Sequence, residues 1–123
     1  MMLDSSFLID LLRGDERASA IARSLDDEPV SISSIVRFEV FQGLSVKHRK
    51  RLERDLASLA TIAFDADQAD LAASIADRLY RKGEPIDPED CMIAAAAIST
   101  GKPLLTRNDK HFSRIPQLRI ETY

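Results

Sequence analysis

The stretch "PVSISSIVRFEVFQG", from Pro29 to Gly43, predicts a short strand that passes directly into a helix. Its first part has the β-branched content typical of strands, and a proline is acceptable at the start of such a strand. Ser33 and Ser34 are candidate N-caps for the helix, which Gly43 ends or loosens. Within that helix Glu39 lies among large apolar side chains, where a carboxylate is costly to bury unless its charge is compensated.

The same succession of strand and helix recurs along the chain. Further strand-like segments are "MML" at the start, "TIAF" from Thr61, "KPLLT" from Lys102 and "LRIET" from Leu118. Strands that alternate with helices predict a parallel sheet covered by helices on both faces. We therefore expect one domain over residues 1–123, a three-layer α/β/α sandwich with a central parallel sheet of about five strands.

Composition and charge narrow the class of protein. The 123 residues are 45% hydrophobic and 30% charged, and the formal net charge is −3. Proteins that hold nucleic acid by attraction over the whole surface are usually basic, so any nucleic-acid contact here is expected to be local or metal-mediated. The single Cys91 excludes an internal disulfide and is typical of a reducing cytosol. No leader opens the chain, and the run from Met92 to Ile98 is too short to span a membrane, so we expect a cytoplasmic protein.

Several polar residues follow the predicted strands, where parallel sheets bind ligands. Asp4 comes directly after the first strand, Glu39 lies in the helix after the second, and Asn108 and Asp109 follow the fourth. Asp90 lies in the first turn of the helix that begins with "IDPED", so topology alone does not bring it to the same edge. Each acid alone also has a simpler interpretation. Asp4 could be a turn or cap residue, and Glu39 could be exposed on its helix. Asp90 could complement the helix dipole, and Asp109 could be a loop residue.

Convergence of the carboxylates would require a compensating charge. Two like charges about 4 Å apart repel by on the order of 4 kcal/mol at an effective dielectric constant of about 20. Asp4, Glu39 and Asp90 could therefore share a pocket only if some held protons or if a cation lay among them. An all-oxygen ligand set favours Mg²⁺ or Mn²⁺ over Zn²⁺.

Four stretches resemble, in order, the PIN-domain ribonucleases and, within them, the VapC-type toxins of toxin–antitoxin pairs. They are "MLDSSFLIDLL" around Asp4, "ISSIVRFEVFQG" around Glu39, "KGEPIDPEDCMIAAAAI" around Asp90, and "LLTRNDKHFSRIPQLRIE" near the C-terminus. Each stretch alone is a weak signal, but together they cover nearly the whole chain. The resemblance implies a Mg²⁺- or Mn²⁺-dependent ribonuclease that acts on RNA, is inhibited by a cognate antitoxin and often forms a homodimer.

The resemblance also implies roles for individual residues. By position, Asp4, Glu39 and Asp90 match the acids of the family's metal site and would be both catalytic and metal-binding. Ser6 falls where the family often has a small polar residue beside the first acid, and Thr106 falls on the family's threonine before the last motif. Both would position substrate or water.

The chain departs from the family pattern at the fourth acid. Many members have Asp where this chain has Asn108, and Asp109 comes one residue later. A neutral amide adds no charge to attract a cation, so we expect Asp109 to be the fourth metal ligand and Asn108 to position a water or a phosphate. We expect His111 to be a partly exposed loop residue.

Two other functions stay open at this point. The departure at Asn108 is compatible with a PIN-like module that binds RNA or protein and has lost catalysis. A receiver-like signalling domain is also a small parallel α/β fold with acids and Mg²⁺, and Asp65 after "TIAF" would be its phosphoacceptor. Such domains need paired acids after the first strand, however, and this chain has only Asp4 there.

Surface features suggest where partners bind. The helices "FLIDLL" and "FEVF" have apolar residues on more faces than one sheet can bury, which favours a groove for an antitoxin helix or a homodimer contact. The basic run "KHRKRLER", Lys47–Arg54, is either a solvated helix face or a contact for RNA phosphates. Arg13, Arg107 and Arg114 are alternative contacts for a phosphate or a partner.

Overall fold

A parallel sheet of five short strands forms the centre of the computed structural model, which describes residues 1–123. The strands are β1 (Met2–Leu3), β2 (Ser31–Ser33), β3 (Ala60–Ile62), β4 (Leu104–Leu105) and β5 (Ile120–Glu121). Their order across the sheet is β3-β2-β1-β4-β5, and all neighbouring pairs are parallel. Receiver-like domains have the order 2-1-3-4-5 instead, so the observed order argues against that alternative.

Helices flank this sheet and complete the layers. They are α1 (Ser5–Leu12), α2 (Glu16–Ser24), α3 (Ser34–Phe41), α4 (Val46–Asp55), α5 (Ala66–Arg81), α6 (Pro88–Ser99) and α7 (Asp109–Phe112). α1 packs against α2 and α3, while α5 packs against α6. The buried apolar side chains form one core cluster, and the predicted three-layer α/β/α sandwich is confirmed. None of these helices combines the length and the apolar character that crossing a membrane requires.

Side-chain caps mark the starts of α3 and α5. Ser33, one of the two predicted N-caps of α3, and Asp65 at the start of α5 accept backbone N–H groups at 3.1 and 2.9 Å. In α1 the N-cap residue is Asp4, and Ser5 is already helical. The Asp4 side chain makes no capping hydrogen bond, which leaves its carboxylate available for other contacts.

The alanine-rich helix α6 brings its first turn to the site. Residues Ala94–Ala97 are completely buried, and such small side chains let the helix lie close to its neighbours. Because α6 leads into β4, which is parallel to β1, it runs against the direction of the strands. Its N-terminal turn therefore lies at the carboxyl edge of the sheet, which brings Asp90 to the edge where Asp4 follows β1.

Candidate functional site

Asp4 is the buried acid at the centre of the carboxyl edge, with only 3% of its surface exposed. One of its oxygens, Oδ2, accepts hydrogen bonds from Thr106 Oγ1 at 2.6 Å and from Ser6 Oγ at 2.9 Å. The other, Oδ1, is buried and has no hydrogen-bond partner. Buried carboxylate oxygens normally have partners. The carboxylate is thus fixed through one oxygen, and the other is free to bind a cation.

Glu39, like Asp4, has a carboxylate oxygen without a hydrogen-bond partner. It lies half-buried on α3, and its Oε1 is buried without a hydrogen-bond partner. Burial raises the pKa of Glu39 from 4.5 to about 7, and the charges of Asp4 and Asp90 add to that effect, while a hydrogen bond from Ser5 opposes it. The simpler interpretation of Glu39 as an exposed residue on an apolar helix is therefore wrong.

Asp90 completes the acidic group from the first turn of α6. Its pKa is raised from 3.8 to about 6, chiefly by burial and also by the charge of Asp4, while a hydrogen bond from His111 opposes the change. His111 Nδ1 lies 3.6 Å from Asp90 Oδ2. Because Asp4 perturbs both Glu39 and Asp90, the three acids that the sequence suggested lie at one site.

The loop after β4 contributes Thr106 and Asn108 to this site. The Asn108 backbone N–H donates to Thr106 Oγ1 at 2.9 Å, and the Asn108 side-chain Nδ2 lies 3.1 Å from His111 Nδ1. Asp109 is exposed at the start of α7, and it is absent from the charges that raise the pKa of Glu39 or Asp90. Asp109 makes no side-chain hydrogen bond or ion pair with the acidic group, and its role as the fourth ligand stays a prediction.

His111 is the member of this site that sequence reasoning placed in a loop. It lies on α7, a one-turn helix that the sequence did not predict, and that turn directs it back toward Asn108 and Asp90. The spacing of three residues between Asn108 and His111 was the available signal, because residues three apart are neighbours on a helix.

The acidic group fits a divalent ion that keeps part of its water shell. No three His, Cys, Asp or Glu side chains lie close enough together to form a complete ligand set, so the group is looser than the sequence suggested. The two unpartnered oxygens, Asp4 Oδ1 and Glu39 Oε1, are nevertheless the hard ligands that Mg²⁺ and Mn²⁺ prefer. Mg²⁺ commonly uses one or two carboxylates and retains several waters.

The raised pKa values predict how stability depends on pH in EDTA. Between the unfolded and folded pKa values, the folded state binds more protons than the unfolded state, so stability falls as pH rises. For Glu39 that interval runs from 4.5 to about 7, and for Asp90 from 3.8 to about 6. We expect the free energy of unfolding to fall by on the order of 1–2 kcal/mol in total across the interval, after allowance for partial exposure.

Urea titrations at several pH values between 4 and 8 measure this effect. The Glu39→Gln variant is the control, because it removes the group with the larger change in pKa and should flatten the upper part of the curve. A wild-type protein whose stability rises with pH in EDTA throughout this interval would show that the acids do not form a repulsive group.

The chain is similar to known proteins over nearly its whole length. The family model described as "PIN domain" matches residues 1–118. Ribonuclease VapC19 of Mycobacterium tuberculosis is 30% identical over 120 residues, which cover 96% of each chain. The crystal structure of VapBC2 from Rickettsia felis, bound to a promoter DNA fragment, aligns with a TM-score of 0.88 and 28% identity over 99% of this chain and 97% of that one. A toxin–antitoxin complex from Klebsiella pneumoniae aligns with a TM-score of 0.79 and 27% identity over 95% and 93%.

Proposed function

Since this chain belongs to the PIN domain family, we propose that it is a metal-dependent ribonuclease of the VapC type, which hydrolyses RNA phosphodiester bonds and is neutralised by an antitoxin. The observation that carries the proposal is the pair of buried, unpartnered oxygens, Asp4 Oδ1 and Glu39 Oε1, in one acidic group with Asp90. The similar chain from Mycobacterium tuberculosis bears the name ribonuclease, which supports the choice of substrate.

The three acids share one part in this mechanism, which is to bind the metal. Asp4, Glu39 and Asp90 would hold Mg²⁺ or Mn²⁺, and the bound ion would lower the pKa of a water and offset charge on the scissile phosphate. Glu39 Oε1, which has no hydrogen-bond partner in the chain, would be one of the oxygen ligands of that ion. Ser6 and Thr106 keep the Asp4 carboxylate in one orientation.

The loop after β4 completes the proposed site on the substrate side. Asn108 is placed to position a water or a phosphate, since its amide lies beside His111 and its backbone is fixed by Thr106. Asp109 is left out of the proposed ligand set because its side chain is exposed, whereas the three acids are wholly or partly buried. The exposed basic face of α4 supplies a second surface on which RNA phosphates could bind.

The proposal is tested by incubating purified protein with single-stranded RNA in Mn²⁺, Mg²⁺ or EDTA. We expect cleavage with either metal and none in EDTA. The alternative, a PIN-like module that has lost catalysis, is favoured by the Asn108 departure and predicts RNA or protein binding without cleavage under every condition. Absence of cleavage by a folded protein in both metals would overturn the proposed activity.

Thr106 offers a direct test of how Asp4 is held. Thr106→Val keeps the shape of this fully buried side chain but removes the hydroxyl that donates to Asp4. We expect metal affinity and cleavage to fall by about tenfold to a hundredfold, as for other residues that orient a metal ligand. Thr106→Ser retains the donor and should keep most of the activity. Calorimetric Mn²⁺ titration together with cleavage rates measures both, and equal behaviour of the two variants would contradict the positioning role.

An apolar cavity is the surface that we propose for the antitoxin. It has a volume of about 830 Å³ and lies between α1, α2 and α4, with a lining that includes Leu8, Leu11, Leu12, Leu25, Leu52 and Leu56. Its rim carries charges of both signs, such as Asp26 and Arg51. A cavity of this kind suits the apolar face of a helix from a partner protein. The toxin–antitoxin complex among the similar structures supports a partner of this class.

A second copy of the chain is the other partner that we propose. Phe38 is exposed on α3 and lies outside the apolar cavity, so the cavity does not account for it. A homodimer contact would cover this aromatic side chain. The mass of the isolated protein in sedimentation equilibrium tests the proposal.

A further inference from the structure

A buried carboxylate outside the acidic group, that of Asp10, forms an ion pair with Arg107. Asp10 lies on α1 with only 4% of its surface exposed. Its two oxygens lie 3.0 and 2.9 Å from Arg107 Nη1. The Tyr123 hydroxyl donates to Asp10 Oδ2 at 2.7 Å, and its ring packs edge-on against Phe7 with 5.3 Å between the ring centroids. The Asp10 carboxylate is therefore fixed by two donors that come from distant parts of the chain.

Arg107 is close to the acidic group through its own backbone. Its N–H donates to Ser6 Oγ at 3.2 Å, and Ser6 in turn donates to Asp4 Oδ2 at 2.9 Å. Only two hydrogen bonds thus separate the Arg107 backbone from the central acid of the site. Arg107 also precedes Asn108 directly, so both residues come from the loop that faces the proposed substrate.

The Arg107 side chain is only partly used by this contact. It is 60% exposed, and the guanidinium donors other than Nη1 make no hydrogen bond within the chain. Ion pairs in which one partner is exposed contribute little to stability, whereas burying the carboxylate of Asp10 is costly. Stability alone therefore gives a weak reason for the arrangement, while a guanidinium held by one nitrogen keeps its remaining donors directed outward.

We propose that Arg107 binds a phosphate of the RNA next to the scissile bond, and that Asp10 and Tyr123 are positioning residues for its guanidinium. The inference rests on the proposed RNA substrate. An RNA strand that approaches three carboxylates is repelled by them, and an arginine at their edge offsets part of that repulsion. The planar guanidinium suits phosphate because it can donate two parallel hydrogen bonds.

The test compares Arg107→Gln with Arg81→Gln as a matched control. Arg81 is also paired with an aspartate, Asp77, at 2.9 Å and its side chain is 77% exposed, but it lies on α5 and makes no ion pair with the acids of the site. Binding of fluorescein-labelled single-stranded RNA is followed by anisotropy in Mn²⁺ at several salt concentrations. The Asp90→Asn background is used for binding so that cleavage does not interfere, and cleavage kinetics are measured with Asp90 intact.

Loss of one phosphate contact has a defined signature. We expect Arg107→Gln to weaken RNA binding and to raise KM by about tenfold to a hundredfold. It should also reduce the slope of log affinity against log salt by about 0.7, the value for one phosphate of a single strand. Arg107→Lys should restore that slope, because it keeps the charge, but only part of the affinity. Arg81→Gln should change neither quantity.

The positioning residues are tested through Tyr123→Phe, which keeps the ring that packs on Phe7 and removes only the hydroxyl donor. We expect KM to rise severalfold with kcat and the salt slope unchanged. A lowered melting temperature without a change in KM would mean that the network is only structural and would overturn this part.

The two proposals fail in different ways. An Arg107→Gln protein that binds RNA with the wild-type affinity and salt slope overturns the role of Arg107, even if cleavage proceeds normally. Absence of RNA binding by the protein that retains Arg107 overturns it as well. Binding that depends on Arg107, in a wild-type protein that never cleaves, overturns the ribonuclease activity and leaves the phosphate contact standing.

Discussion

Asp4→Asn is expected to lose at least about a thousandfold in metal-dependent RNA cleavage while the protein stays folded. Loss of a metal ligand removes several kcal/mol of transition-state stabilisation, and about 4 kcal/mol corresponds to a factor of a thousand. The hydrogen bonds from Ser6 and Thr106 to Oδ2 can still be accepted by the asparagine oxygen. The amide NH₂ then occupies the position of the unpartnered Oδ1, where it repels a cation instead of binding it.

Asp109→Asn is the matched control for this substitution, because it makes the same chemical change at an exposed position directly after Asn108. We expect it to cleave RNA and bind Mn²⁺ as the wild type does. Cleavage rates, Mn²⁺ calorimetry and circular dichroism are measured on both variants. A folded Asp4→Asn protein with the wild-type rate would contradict the proposed metal site. Loss of Mn²⁺ affinity in Asp109→Asn would restore Asp109 as the fourth ligand.

Leu12→Glu is expected to weaken antitoxin binding by at least about a hundredfold. Leu12 lines the apolar cavity but is 49% exposed in the isolated chain, so the substitution should change the stability of the free protein little. In the complex, the new carboxylate would be buried against apolar side chains without a partner. A penalty of about 3 kcal/mol for that burial corresponds to the stated loss of affinity.

Val46→Glu provides the control for a new charge on an apolar surface residue. Val46 is 73% exposed and does not line the cavity. The cognate antitoxin is titrated into each variant by calorimetry, with RNA cleavage as the check that the site is intact. Tight binding of the antitoxin to Leu12→Glu would place its contact elsewhere. Loss of binding in Val46→Glu alone would move the contact to the start of α4.

The sequence predicted the fold, and it directed attention to Asp4 and Glu39, because both inferences follow from simple regularities. Alternation of strands with helices determines a parallel sheet, and residues after such strands meet at one edge. The position of Asp90 could not be predicted in this way, because Asp90 lies at that edge only if α6 runs antiparallel to the strands. That direction follows only once β4 is known to pair with β1.

Contacts between distant side chains were beyond sequence reasoning. The contact between Asp10 and Tyr123 joins residues 113 positions apart, and no local periodicity encodes such a separation. The ends of the strands were also poorly determined, because β1 and β4 have only two residues each, too few for a hydrophobic pattern to repeat. The short helix α7 was missed for the same reason, and with it the approach of His111 to Asp90.

The parallel pairing of β1 with β4 also sets the order of events during synthesis. β1 is made first, yet one of its two neighbours in the sheet, β4, is made about a hundred residues later. The hydroxyl of Thr106, which orients Asp4, arrives with that late strand. A nascent chain that has reached the end of α6 therefore carries all three acids without the strand and the hydroxyl that arrange them. Synthesis of the chain is therefore nearly complete before an RNA-cleaving centre can form.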